Sequence, residues 1–106
     1  MSKYKYVFNG RHYMSFRRLD YRNFWYLYSN RYSLLMSYNT IVGIVDNDKE
    51  IVYEVHYSST TTRQVTQFLS EFRISSYQRE RIDSKTLAMF IKNITSYTIN
   101  TEYNGA

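Results

Sequence analysis

Residues 41–57 read Ile-Val-Gly-Ile-Val-Asp-Asn-Asp-Lys-Glu-Ile-Val-Tyr-Glu-Val-His-Tyr, and this stretch decides the fold class. Its first five residues are almost continuously apolar, which predicts a central strand covered on both faces. Residues 46–49 have the composition of a turn. The stretch therefore predicts a β-hairpin. Its second strand alternates, with one face carrying Ile51, Tyr53, Val55 and Tyr57 and the other carrying Val52, Glu54 and His56.

Two amphipathic helices are predicted after this hairpin. Apolar residues recur at i, i+3, i+4 and i+7 from Val65 to Phe72 and again from Leu87 to Ile94, which is the spacing of a helix with one apolar stripe. The predicted ranges and start signals are residues 61–73, with a capping box of Thr61 and Gln64, and residues 84–94, with Asp83 as N-cap and Ile82 stapled onto Leu87.

The N-terminal third predicts a second hairpin and leaves one segment open. Asn9-Gly10 is a strong signal for a two-residue turn, so Tyr4 to Phe16 is expected to form a hairpin with Phe8 opposite Arg11. In residues 19–32 the aromatic residues have helical spacing, but their density favours a strand. A short helix, a strand and an irregular segment therefore all stay open. Residues 96–103 alternate and fit either a last edge strand or a frayed tail.

The elements together predict one α+β domain over residues 1–106. Its antiparallel sheet has about four to five strands, and two C-terminal amphipathic helices pack on one face of it. Residues 1–36 form a basic aromatic hairpin region, and residues 37–106 supply the central hairpin and the helices. The expected core consists of Val7, Ile41, Ile44, Val55, Phe68, Leu69, Phe72, Leu87, Phe90 and Ile91.

Composition limits the class of protein. The chain has no cysteine, which excludes disulfides and thiolate metal sites and suits a reducing cytoplasm. It has no apolar run long enough to span a membrane and no apolar N-terminal signal. We therefore expect a soluble cytoplasmic protein, as a monomer or a homodimer, with no membrane partner.

The positive charge is concentrated near the N-terminus. Residues 1–36 hold seven Lys or Arg and one Asp, so they carry +6, and they hold eleven of the twenty aromatic residues. Arginine binds phosphate, and aromatic rings stack on bases or anchor protein interfaces. The sequence therefore predicts one partner-binding surface in this third. Its expected members are Arg11, Arg17, Arg18, Arg22, Trp25, Tyr26 and Arg31.

The sequence carries no pattern of catalytic, metal or cofactor residues. Its three glycines have no phosphate-loop spacing, and residues 46–50 lack the glycine and the distal Glu of a calcium loop, so they are expected to form a solvated turn. We predict a non-enzyme without a cofactor or metal. The alternative is a small ribonuclease that uses Glu54, His56 and His12 for acid–base catalysis.

Residues 35–43 and 57–63 carry a resemblance. The first reads Leu-Met-Ser-Tyr-Asn-Thr-Ile-Val-Gly and the second Tyr-Ser-Ser-Thr-Thr-Thr-Arg. Over residues 34–70 the chain resembles short, uncharacterised phage and plasmid proteins of low-GC Gram-positive bacteria, which have a Ser-Tyr-x-Thr strand and a Ser/Thr-rich helix entry. A His often follows the Thr-Thr stretch in that pattern, whereas Gln64 and Val65 stand here.

This resemblance implies a mobile-element origin. Small phage proteins without a catalytic centre resemble anti-defence factors, including anti-CRISPR proteins. We therefore expect a non-enzymatic inhibitor that binds a bacterial nucleoprotein complex, namely a CRISPR effector or its RNA or DNA. The alternatives are a phage regulator that binds DNA or RNA directly and the small ribonuclease.

Overall fold

Six of the seven strands that the structure describes follow one another and pair in chain order, each antiparallel to the one before. The computed structural model describes the backbone of residues 4–8, 13–19, 23–28 and 31–95, and the side chains of residues 16–19, 23–28 and 31–93. The strands are β1 (Tyr4–Phe8), β2 (Tyr13–Arg18), β3 (Phe24–Tyr28), β4 (Tyr32–Ser37), β5 (Thr40–Asp46), β6 (Ile51–Glu54) and β7 (Gln78–Arg81).

Strand β7 joins the sheet by a crossover. Helix α1 (Ser59–Glu71) follows β6 and leads to β7, which pairs parallel to β6 at the edge of the sheet. Helix α2 (Ser84–Thr95) follows β7. The chain is therefore a six-stranded meander extended by one β-α-β unit. None of the helices in the described ranges is both long and apolar enough to cross a membrane.

The two helices lie on opposite faces of the sheet, so the prediction that both pack on one face is wrong. Consecutive residues of β4 alternate between them, with Leu34 and Met36 in the α2 cluster and Leu35 in the α1 cluster. Because β4 and β5 are apolar on both faces, each face needs its own cover. The α1 cluster is Leu19, Phe24, Leu35, Val42, Val45, Val52, Val65, Phe68 and Leu69. The α2 cluster is Phe16, Trp25, Leu34, Met36, Ile41, Ile44, Leu87 and Ile91.

Gly43 lets the two strands of the central hairpin approach each other. It pairs with Glu54 on β6, and a Cβ atom at position 43 would lie 2.9 Å from the backbone oxygen of Tyr53. A contact that short forces the backbone to move. The glycine inside the apolar run of β5 is therefore a close-approach residue, as glycines within strands often are.

The central hairpin, the α+β class and the helices are confirmed, with changes of detail. Residues 24–28 form a strand, so within the segment that the sequence left open these residues are not helical or irregular. Phe8 pairs with Tyr13 and not with Arg11, so the N-terminal hairpin has a register shifted from the predicted one. Helix α1 begins earlier than expected, because Ser58 is its N-cap and forms the capping box with Thr61. Residues 96–103 lie outside the described residues.

Most of the predicted core is buried as expected. Ile41, Ile44, Phe68, Leu69, Leu87 and Ile91 are all in the two clusters. Val55 and Phe90 are only partly buried, and Phe72 is exposed because it caps the C-terminus of α1. The side chain of Val7 lies outside the described ones. Asp83 caps the N-terminus of α2 as predicted, because its Oδ1 accepts a hydrogen bond from the Thr86 N–H at 2.7 Å.

Candidate binding surface

Arg17 and Arg18 point to opposite faces of the sheet. Arg17 pairs across the ladder with Tyr26, and Arg18 pairs with Trp25. Side chains directly opposite in an antiparallel pair share a face, so Arg17 is on the α1 side and Arg18 on the α2 side. The guanidinium carbon of Arg18 lies 5.6 Å from the centroid of the Trp25 ring, within the range of a cation–π contact. The predicted single surface is therefore divided between two faces.

Trp25 belongs to the core and does not form part of an exposed surface. Only 5% of it is exposed, and it packs in the α2 cluster. The sequence prediction placed Trp25 and Tyr26 on one surface, but a strand sends consecutive residues to opposite faces. On β3 the α2 face is closed by the helix, so Trp25 is buried there.

Arg31 is held by acidic groups of the β5–β6 turn. Its Nε lies 3.3 Å from Asp46 Oδ1 and 3.5 Å from Asp48 Oδ2, and its Nη2 lies 3.3 Å from Asp46 Oδ2. Asp46 Oδ1 also accepts the backbone N–H groups of Asp48 and Lys49, which closes the turn that the sequence predicted at this position. Arg31 therefore stabilises a turn of the fold.

This ion pair should make folding stability depend on pH. Burial raises the pKa of Asp46, but hydrogen bonds from Arg31 and from the turn outweigh burial, and the pKa lies below its ordinary value of 3.8. The stabilisation is present above that ordinary value and is lost as the pH falls through the lowered pKa. We expect an Asp46→Asn variant to unfold at lower urea than the wild type at neutral pH and to lose less stability on acidification below 3.8. Parallel losses in the two proteins would contradict this role.

Arg17 and Tyr26 lie together at the C-terminal end of α1 with two further rings. The Tyr26 ring is 4.9 Å from the Phe72 ring, edge to face, and Tyr28 follows on the same face of β3. Tyr28 is 68% exposed and Phe72 43% exposed. We call Arg17, Tyr26, Tyr28, Phe72 and the exposed Arg73 the α1-side patch.

Arg73 adopts a backbone conformation that glycine usually supplies. Its φ is 57°, and helix α1 ends there in a Schellman motif, with the Arg73 N–H bonded to Ser70 O and the Ile74 N–H to Leu69 O. Left-handed backbone costs a non-glycine residue about 1 kcal/mol. The chain thus places an arginine beside Phe72 at some cost in stability.

The sequence prediction found part of this patch and missed the rest. Arg17 and Tyr26 were among the expected residues, whereas Phe72 was assigned to the core and Arg73 was not singled out. The signal was available at Phe72, because it is the last member of the apolar stripe and the polar run of residues 75–76 follows closely. Arg11 and Arg22 lie outside the described residues.

Glu54, a candidate acid–base residue of the ribonuclease alternative, forms a buried ion pair. Both Glu54 oxygens accept from Arg79, at 2.6 Å from Nε and 2.7 Å from Nη2, and the Glu54 side chain is 1% exposed. His56 Nε2 lies 3.3 Å from Glu54 Oε1. Both oxygens of this buried carboxylate are engaged by Arg79, so Glu54 ties β6 to β7. His12 lies outside the described residues.

Metal-ligating residues do not converge in the part of the chain that the structure describes. There, no three His, Asp or Glu residues come close enough to hold an ion. Asp46 and Asp48 of the β5–β6 turn are instead engaged by Arg31, and Asp46 also by backbone N–H groups.

Comparison with known proteins identifies a family but no characterised relative. Residues 10–85 match the model of a family of unknown function, and this range covers β2 to β7 together with α1. Neither a curated protein nor a solved structure matches the chain significantly.

Proposed function

This chain belongs to the DUF8033 family, whose function is unknown, and we propose that it acts without catalysis, by binding single-stranded nucleic acid at the α1-side patch. The observation that carries the proposal is the position of Arg17 beside Tyr26, with the exposed rings of Tyr28 and Phe72 on the same side. Bases of a single strand stack on such rings, and guanidinium groups bind the phosphates between them.

The shape and charge of this region support a single strand over a duplex. The rings belong to a sheet face and a helix end, which present open faces to unpaired bases and no element that would enter a groove. Residues 1–36 carry +6 and residues 37–106 carry −1, so the long-range attraction for a polyanion arises in the N-terminal third, which also holds Arg17. Arg73, retained where glycine is favoured, adds a second cation next to Phe72.

Charge reversal at adjacent positions gives a matched test. We expect Arg17→Glu to weaken binding of a short single-stranded oligonucleotide by about tenfold and to make the plot of log K against log salt shallower by about 0.7, the loss of one phosphate contact. Arg18→Glu changes the net charge equally on the opposite face, so it should weaken binding much less. Fluorescence anisotropy over a salt series measures both effects, and thermal melting checks that each variant folds.

Two outcomes would contradict the patch. Equal weakening by Arg17→Glu and Arg18→Glu would mean that only net charge matters. No binding of single-stranded DNA or RNA at low salt would remove nucleic acid as the ligand.

A narrower proposal names the partner that presents the strand. It is a nucleoprotein defence complex in the cytoplasm of a bacterial host, most specifically a CRISPR effector, which the protein inhibits by holding its RNA or displaced DNA. Its support is the phage and plasmid resemblance of residues 34–70 together with the patch. Addition of the purified protein to a CRISPR effector should slow cleavage of target DNA, and Arg17→Glu should restore cleavage more than Arg18→Glu does. Unchanged cleavage across the effector types of Gram-positive bacteria would reject this version.

A further inference from the structure

A crevice opens where the two parallel strands end. Glu54 pairs with Arg81 at the carboxyl ends of β6 and β7. From there the chain leaves β6 toward α1 on one face of the sheet and leaves β7 toward α2 on the other. Divergence of this kind separates the two connections and forms the crevice in which open α/β sheets bind ligands.

The crevice is lined on both sides by side chains with binding chemistry. Its volume is about 390 Å³, and residues 55–57 and 81–84 surround it. His56 and Arg81 contribute nitrogen donors, and Ser84 a hydroxyl. Asp83 also lines it, with Oδ1 turned to the Thr86 N–H. Hydrogen bonds from Thr86 hold the pKa of Asp83 below its ordinary value, so this carboxylate is ionised at neutral pH.

A second depression adjoins the first at Tyr57. It measures about 270 Å³ and has Val42 and the Tyr38 and Tyr57 side chains in its lining. Tyr38 is 58% exposed and Tyr57 50% exposed. Two half-exposed rings at an apolar depression suit a flat aromatic ligand, because such a ring can stack there and keep its polar edge in water.

Tyr38 adopts an unfavourable backbone conformation at this place. It is the first residue of the two-residue turn between β4 and β5, and its φ is 53°. Gly is the usual residue there when φ is positive. Strain of this kind in an exposed aromatic residue points to a function for its ring.

We infer that the crevice and the adjoining depression form one site for a nucleoside phosphate. The base lies between the rings of Tyr38 and Tyr57. The phosphate is bound by Arg81 and Ser84, and the carboxylate of Asp83 accepts a hydrogen bond from a sugar hydroxyl. Planar guanidinium fits phosphate oxygens, and ionised carboxylates accept ribose hydroxyls in other nucleotide sites. The α1-side patch is at the other end of α1, so this site does not depend on the proposed function.

The ligand has two possible sources with the same chemistry, a free nucleotide and the 5′-phosphorylated end of a strand. Titration of the full ¹⁵N-labelled chain with AMP, adenosine, inorganic phosphate and a 5′-phosphorylated oligonucleotide separates them. We expect AMP to shift the amides of residues 55–57 and 81–84 saturably and to bind about tenfold tighter than adenosine, because adenosine lacks the group that Arg81 binds. Tighter binding of the oligonucleotide at the same amides would assign the strand end, and equal or weaker binding would assign the free nucleotide.

Variants test the assignment of the rings. Tyr57→Ala should weaken AMP binding by about tenfold through lost stacking, while Tyr57→Phe keeps the ring and should bind as the wild type does. Tyr38→Gly should weaken AMP binding through loss of the ring, and thermal melting checks that the variant folds. Arg17→Glu in the patch should leave AMP binding unchanged.

Three results would overturn the site. They are the absence of saturable shifts with AMP, shifts of equal size with phosphate alone, and wild-type AMP affinity in Tyr57→Ala. None of them bears on oligonucleotide binding at the patch, and loss of the patch in the Arg17→Glu test leaves the AMP result standing.

Discussion

Replacing Arg79 by alanine should lower the free energy of unfolding by about 3 kcal/mol. Glu54 is buried with both oxygens bonded to this guanidinium, and Arg79 also donates to Thr66 Oγ1 and the Thr62 carbonyl on α1. Loss of the cation leaves a charged carboxylate in the core, which is costlier than loss of the whole pair. This loss is at the lower end of the range for removing one partner of a buried ion pair, because the Arg79 side chain is 30% exposed and water can partly replace it.

Two companion variants distinguish this cause from loss of surface charge. Arg81→Ala removes an exposed arginine from the same strand and should change the stability by no more than about 0.5 kcal/mol. The double variant Glu54→Met with Arg79→Met should recover most of the loss, because apolar side chains can replace a buried pair at little cost. Urea denaturation measures all of them. A double variant as unstable as Arg79→Ala would show that the fold needs the charges themselves.

Replacing Phe68 by alanine should cost about 3–5 kcal/mol, the range for a large aromatic side chain removed from a core. Its ring is buried between the sheet and α1, with ring centroids 6.1 Å from Phe24, 5.4 Å from Tyr26 and 4.7 Å from Phe72. These contacts fix the C-terminal half of α1 on the sheet. The loss is a large part of the total stability of a domain of this size.

Phe72→Ala is the matched control, one helical turn further along α1. Phe72 is partly exposed and touches the same cluster, so its loss should cost only about 1 kcal/mol. Chemical denaturation compares the two. Equal losses would mean that α1 is held mainly at its C-terminal cap and not by the buried ring.

The sequence was sufficient where apolar periodicity had one interpretation. The continuous run of residues 41–45 and the alternation of residues 51–57 predict two strands. Both formed, although β6 ends at Glu54, three residues earlier than predicted. Helical spacing also predicted α1 and α2 within a few residues. In these segments the secondary structure follows from which residues are buried, and the spacing of the apolar residues indicates which those are.

The sequence was insufficient where the deciding contact lies far along the chain. Strand β7 has only polar residues and forms because β6 offers a partner, so periodicity could not predict it. An apolar stripe shows that a helix packs against another element, but it does not show which face of the sheet the helix covers. The prediction that both helices share one face was therefore wrong. Arg31 meets an acid fifteen residues away, which removed it from the expected surface. Trp25 was misplaced because residues 24–28 are large on both faces.

The composition of β7 has a consequence for self-association. Arg79 and Arg81 point to one face and Gln78 and Glu80 to the other. Two copies that joined along this edge about a two-fold axis would have to run antiparallel, and symmetry would place each residue opposite one of the same face. In the two registers that pair three residues of β7, arginine then meets arginine, and glutamate meets glutamate or glutamine. Like charges directly opposite each other oppose pairing, so this border of the sheet discourages the growth of aggregates from its own kind.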